Sequence, residues 1–132
     1  MLYGLATEVL IVPYLLNGFD LKGWDCRGLV SWCRREWQGK DSPGMDGYYP
    51  AEQATNLGEV ESLILERTGA WEPCSPKPGS VALFRVRQRI SHIAFMLDDH
   101  RFLHARENYN TTTDSLLEKK WSRRLEGTYE LR

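Results

Sequence analysis

The sequence predicts an α+β fold, with N-terminal helices packed on a central antiparallel β-sheet, in one domain spanning residues 1–132. Two observations carry this prediction. Apolar residues recur at a spacing of 3.6 in the first half and of 2 from Ser80 onward. Helical segments also precede strand segments instead of alternating with them, which argues against βαβ units. With 42% hydrophobic residues and five tryptophans, the chain can fill one core.

Taken in order, residues 1–12 read as a helix that Pro13 ends. Tyr14–Gly23 is a loop marked by Asn17-Gly18 and Lys22-Gly23. A helix over 26–38 follows. It places Leu29, Val30, Cys33 and Trp37 on one face and Arg27, Ser31, Arg34, Arg35 and Gln38 on the other, with Asp25 as its cap. Gly39 stops it, and 39–50 is a loop rich in Gly, Pro, Asp and Tyr. A further helix is expected over Ala51–Thr68, and Gly69–Gly79, with three prolines, is expected as loop. Strands are expected at Ser80–Arg87, Ser91–Leu97, Arg101–Ala105 and Gly127–Leu131, with a polar loop over Glu107–Asp114.

A net charge of −1 supplies no electrostatic reason to bind nucleic acid or an anionic membrane. No stretch approaches the roughly 18 apolar residues of a membrane span. The apolar start at Val9–Leu16 contains Glu8-adjacent and proline interruptions and makes a poor signal peptide. Three cysteines cannot all pair within the chain, and their spacing matches neither a metal site nor a redox pair, so synthesis in a reducing compartment is expected.

Cys26 is the candidate nucleophile. It falls at the first turn of the 26–38 helix, where the helix dipole is expected to favour a thiolate and lower the thiol pKa. A thiol nucleophile needs a base, and the base needs a group to orient it. His92 opens one strand and His104 closes the next. If the hairpin turns about Asp98, residues whose numbers sum to 196 face one another, so His92 stands directly across from His104 on one face. His100, beside the turn, is expected in solvent. Cys26, His92 and His104 as zinc ligands would lack a close-spaced ligand pair, so no metal and no cofactor is expected. Tyr14 could donate to an oxyanion near the thiol, but on the residues alone it reads first as an ordinary amphipathic core tyrosine.

Pro13-Tyr14, Gly23-Trp24-Asp25-Cys26-Arg27-Gly28-Leu29-Val30, Pro78–Phe84, Ser91-His92-Ile93-Ala94 and Arg101–Ala105 together resemble the NlpC-type papain-like cell-wall cysteine peptidases over roughly residues 10–130. The order of Cys before His differs from that of the circularly permuted relatives. The resemblance implies Cys26 as nucleophile, His92 as base, His104 as the orienting residue and Tyr14 as an oxyanion donor. It implies substrate contacts around Asp25, Arg27 and Ser91. Arg27 stands where the family usually has serine, Asn17-Gly18-Phe19 replaces a pair of glycines, and Ser80 replaces a Gly-Asp pair.

The implied substrate is the peptide stem of bacterial peptidoglycan, the family's usual bond lying between D-glutamate and a diamino acid. The Gly-Trp-Asp-Cys wording and Trp121–Tyr129 resemble the phage tail-tip and prophage branch. That branch implies phage tail-tip proteins as partners. It also implies cytoplasmic synthesis without a signal peptide, and delivery by a virion to the periplasm or wall. Two other readings accompany it: a structural tail-tip component with weak or lost hydrolysis, and an amidase effector using the same residues.

Overall fold

A computed structural model describes residues 2–41, 71–86 and 89–131. The N-terminal segment is a short helix, α1 (Leu2–Ala6), followed by a 3-10 turn (Thr7–Val9), not one helix to residue 12. The loop before Cys26 contains a two-stranded hairpin of β1 (Phe19–Asp20) and β2 (Gly23–Trp24). Helix α2 (Cys26–Gln38) has the expected bounds. Its start is capped by Asp25, whose Oδ1 accepts from the Gly28 N–H at 2.9 Å. Its end is closed by Gly39 at φ +65°, with Gly39 N–H donating to Arg35 O and Lys40 N–H to Arg34 O. The helix expected over 51–68 lies outside the described residues.

The remaining strands are β3 (Trp71–Cys74), β4 (Val81–Val86), β5 (Arg89–Met96), β6 (Arg101–His104), β7 (Thr112–Ser115) and β8 (Leu125–Leu131), with a short helix α3 (Lys119–Ser122) before β8. They form an antiparallel sheet in the order β3-β8-β4-β5-β6-β7. The two strands that sequence spacing reads as loop, β3 and β7, are the two edges among the described residues. Pro73 sits in β3, where a missing N–H is tolerated because, among the described residues, the strand is paired on one side only. β7 is Thr-Thr-Asp-Ser, half-buried throughout, and carries no apolar alternation to announce it.

Both faces of the central strands are covered. On one face, α2 contributes Leu29, Val30 and Cys33, which pack with Val81, Leu83, Ile93, Phe95 and Leu103. On the other, Ala82, Phe84, Ala94, Met96 and Phe102 gather around Trp121 of α3. Burial on both sides explains why Val81–Phe84 reads as a continuous apolar run instead of an alternating one.

The β5–β6 register corrects the expected hairpin. Phe95 faces Leu103 and Met96 faces Phe102, so paired numbers sum to 198, not 196. The turn is centred on Asp99 because the Asp98 carboxylate accepts the N–H groups of His100 and Arg101, at 2.9 and 2.6 Å, and binds the Arg101 guanidinium. His92 is therefore diagonal to His104, not directly opposite it. The slip is by two residues, and an even slip leaves both side chains on the same face.

Candidate active site

Cys26 begins α2, and the chain before it is folded tightly against the helix start. Leu15 N–H donates to Trp24 O, and Trp24 N–H donates to Pro13 O. Asp25 Oδ2 accepts the Asn17 N–H at 3.0 Å, so one carboxylate caps the helix and also holds the preceding loop. A Cβ on Gly28 would collide with the carbonyl oxygen of Gly18, so this approach requires glycine.

The thiol reaches the sheet at β5. The β5–β6 pairing ends at Phe95–Leu103, two residues from Ile93, and the Ile93 N–H is directed at Cys26. Cys26 thus meets the sheet at the residue following His92, where the β5–β6 seam opens. Burial and the Asp25 carboxylate push the Cys26 thiol up to about 12, against the pull of the Ile93 N–H and of Arg27. This reverses the expectation of a lowered thiol pKa. At this helix start, desolvation and a neighbouring anion outweigh the favourable end of the helix.

On the other face, His92 Nε2 lies 2.8 Å from His104 Nδ1. His104 Nε2 lies 2.8 Å from Asp114 Oδ2. The three side chains run diagonally across β5, β6 and β7: Asp114 stands opposite Phe102, two residues from His104. His104 has no exposed surface, and Trp121 stacks edge-on against its ring at 4.9 Å. Burial holds the His92 pKa well below the ordinary histidine value, and His104, Arg106 and Arg124 add to the effect. Burial also lowers His104, while the Asp114 carboxylate works to raise it. The hydrogen bond from His104 holds Asp114 below the usual carboxylate range. Sequence spacing missed Asp114 because it ends a stretch without apolar alternation; the surviving signal is its place ten residues beyond His104.

The phenol of Tyr14 lies in the same region. Its pKa is raised by burial, then by Cys26, Asp25 and Glu107, so the hydroxyl keeps its proton and can donate. Asp25 and Arg27 are 6% and 5% exposed. Asp25 is engaged with the Gly28 and Asn17 backbone, so its observed work is structural, and Arg27 is packed beneath the surface, not displayed on it. Ser91 lies in β5, and its side chain is outside the described residues. His100 is turned to the exposed carboxylate of Asp99 at 2.6 Å.

The two halves are joined by Thr111. Its Oγ1 accepts from Trp24 Nε1 at 2.7 Å and donates to Val12 O at 2.9 Å, which ties the segment leading into β7 to the residue just before Asp25. Among the described residues, the groups near enough to share a cation are Asp98, Asp99 and His100, and Asp98 is already bound by Arg101.

The fold and site define an α+β domain with a helix-start thiol that meets β5 at Ile93 and a bonded imidazole pair on β5 and β6. The family model of the NlpC/P60 family matches residues 11–130, and the chain belongs to that family. A comparison with curated proteins finds no match. Among solved structures, the chain is similar to a lipoprotein-like NLP/P60 family protein from Staphylococcus aureus, with 19% identity and a TM-score of 0.65. It is similar to the NlpC/p60 domain of the peptidoglycan hydrolase SagA, with 16% identity and a TM-score of 0.62. It is also similar to an NlpC/P60 family protein from Bacillus cereus, with 14% identity and a TM-score of 0.64. Each likeness covers 98% of this chain; it spans 40% of the S. aureus chain, 96% of the SagA domain and 39% of the B. cereus chain.

Proposed function

We propose that the chain is a peptidoglycan hydrolase that cleaves a peptide bond of the wall stem through an acyl-enzyme on Cys26. The observation that carries this reading is that the Cys26 thiol, with the Tyr14 phenol near it, meets the Ile93 N–H, the residue next in the chain to the His92 that is bonded to His104. Membership of the NlpC/P60 family supports it, as does the likeness in fold to a domain of the peptidoglycan hydrolase SagA.

The resting site pairs a protonated thiol with a neutral imidazole. As Cys26 Sγ attacks the carbonyl carbon, its proton passes to His92, and the carbonyl oxygen takes up the negative charge. The Tyr14 hydroxyl and backbone N–H groups at the start of α2 stabilise that charge. His92 returns the proton to the departing amine, leaving a thioester. Water, deprotonated by His92, then releases the acid and restores the thiol. His104 holds the His92 ring in place throughout.

The same proposal places the chain in the tail-associated branch and its action at the wall. Support for that setting comes from the Gly23–Cys26 and Trp121–Tyr129 wording. The test is digestion of purified sacculi by the protein and by Cys26→Ala, with fragments read by mass spectrometry. New stem fragments from the unsubstituted protein, with a loss of about four orders of magnitude or more in Cys26→Ala, are expected. Equal products from both would remove Cys26 as the nucleophile. Products from neither, across several wall chemistries, would favour a structural role in tail assembly.

A further inference from the structure

We propose that Asp114 is the positioning carboxylate of this site: it fixes the proton of His104 on Nε2 and thereby the direction of the hydrogen bond between the two histidines. The inference rests on the peptidase reading for its kinetic consequences, but its geometric content stands on the side-chain chain itself.

An ionised carboxylate can only accept. The bond from Asp114 Oδ2 to His104 Nε2 at 2.8 Å therefore places a proton on Nε2. A neutral imidazole carries one N–H, so His104 Nδ1 is left with a lone pair. The 2.8 Å contact from Nδ1 to His92 Nε2 then requires His92 to donate. His92 in turn is left with Nδ1 as its basic atom. Each step follows from the one before, and the first is set by Asp114. Without it, a bond between two imidazoles can run in either direction. The reverse direction puts the His92 proton on Nδ1, where no proton can be taken up.

The surroundings give the carboxylate a second task. Cations reach the histidines from several elements: Arg106 after β6, Lys120 on α3 and Arg124 between α3 and β8. Arg106 and Arg124 also flank the Trp121 ring that covers His104. These charges and burial all disfavour an imidazolium, and Asp114 is the anion bonded to the pair that opposes them. Thr112, not Asp114, lies directly across from His104, so the contact is a diagonal reach and not the default neighbour in the ladder.

The experiment is ring-nitrogen NMR on histidine-labelled full chain, together with kinetics on a soluble stem peptide, for the unsubstituted protein, Asp114→Ala and Asp114→Glu. Expected is a proton on Nε2 of both His104 and His92 in the unsubstituted protein, and mixed tautomers in Asp114→Ala. In that variant kcat falls on the order of 10- to 100-fold, with KM within about twofold. The limb of the pH profile governed by the histidine pair moves to lower pH, because the carboxylate no longer favours the imidazolium. Asp114→Glu recovers part of the rate and the tautomer.

A proton on His104 Nδ1 in the unsubstituted protein would overturn the proposal, and this reading needs no folded variant. Unchanged ring signals and pH limb in folded Asp114→Ala would also overturn it. The stated tautomers in a protein that cleaves no wall peptide would uphold the positioning and remove the peptidase reading instead.

Discussion

The two faces of the sheet bring their halves of the site together by different means. The α2 face delivers the thiol through local structure: a cap at Asp25, a glycine contact at Gly28, and a helix start set against β5. The Trp121 face delivers the imidazoles through register: a diagonal of His92, His104 and Asp114 across three strands, beneath an aromatic group of Phe84, Phe102 and Trp121. The first depends mostly on residues close in the chain, with one distant contact at β5. The second depends on where two turns place three strands. A change in one half should therefore damage that half first, and this independence can be tested.

The largest effect is expected on the imidazole side. Trp121 is nearly fully buried, and its removal leaves a cavity against His104 and Phe102. Trp121→Ala should lower unfolding free energy by about 3–5 kcal/mol in a denaturant titration, and His92 and His104 ring signals should broaden or shift. An unchanged imidazole spectrum would show that the histidines are held without the aromatic group, and the contrast between the faces would weaken.

The matching change on the thiol side is Gly28→Ala. The new methyl would press on the Gly18 carbonyl and push the 15–18 loop from the helix start. A loss of about 1–3 kcal/mol is expected from thermal unfolding, with activity falling while the histidine tautomers stay as they were. Shifted tautomers in this variant would show the halves to be coupled through Thr111 more tightly than their separate origins suggest.

The smallest effect is read from the thiol alone. With the Cys26 pKa raised to about 12, the free protein holds a thiol at neutral pH. Its alkylation by iodoacetamide should climb about tenfold per pH unit, with no plateau below about pH 10. Because the group is raised and not depressed, reactivity is gained with rising pH. A plateau near neutrality would mean that the helix start and His92 already hold a thiolate–imidazolium pair.

The sequence alone determined the pieces whose causes are local. The α2 bounds follow from an apolar stripe between Asp25 and Gly39, and β4 follows from the continuous apolar run Val81–Phe84. The shared face of His92 and His104 follows from even spacing, which survives a register slip of two. Tertiary structure decided what depends on neighbours distant in sequence. The edge strands β3 and β7 exist because β8 and β6 offer them hydrogen bonds, not because their own residues favour strands. The thiol pKa is raised because packing removes water and leaves Asp25 close by, an effect larger than the helix start that spacing could reveal. Asp114 joins His104 because β7 is laid beside β6 and aligned by the chain's return through Thr111 to Val12. A diagonal contact across paired strands has no period within any one strand, so it comes into being when the strands are aligned.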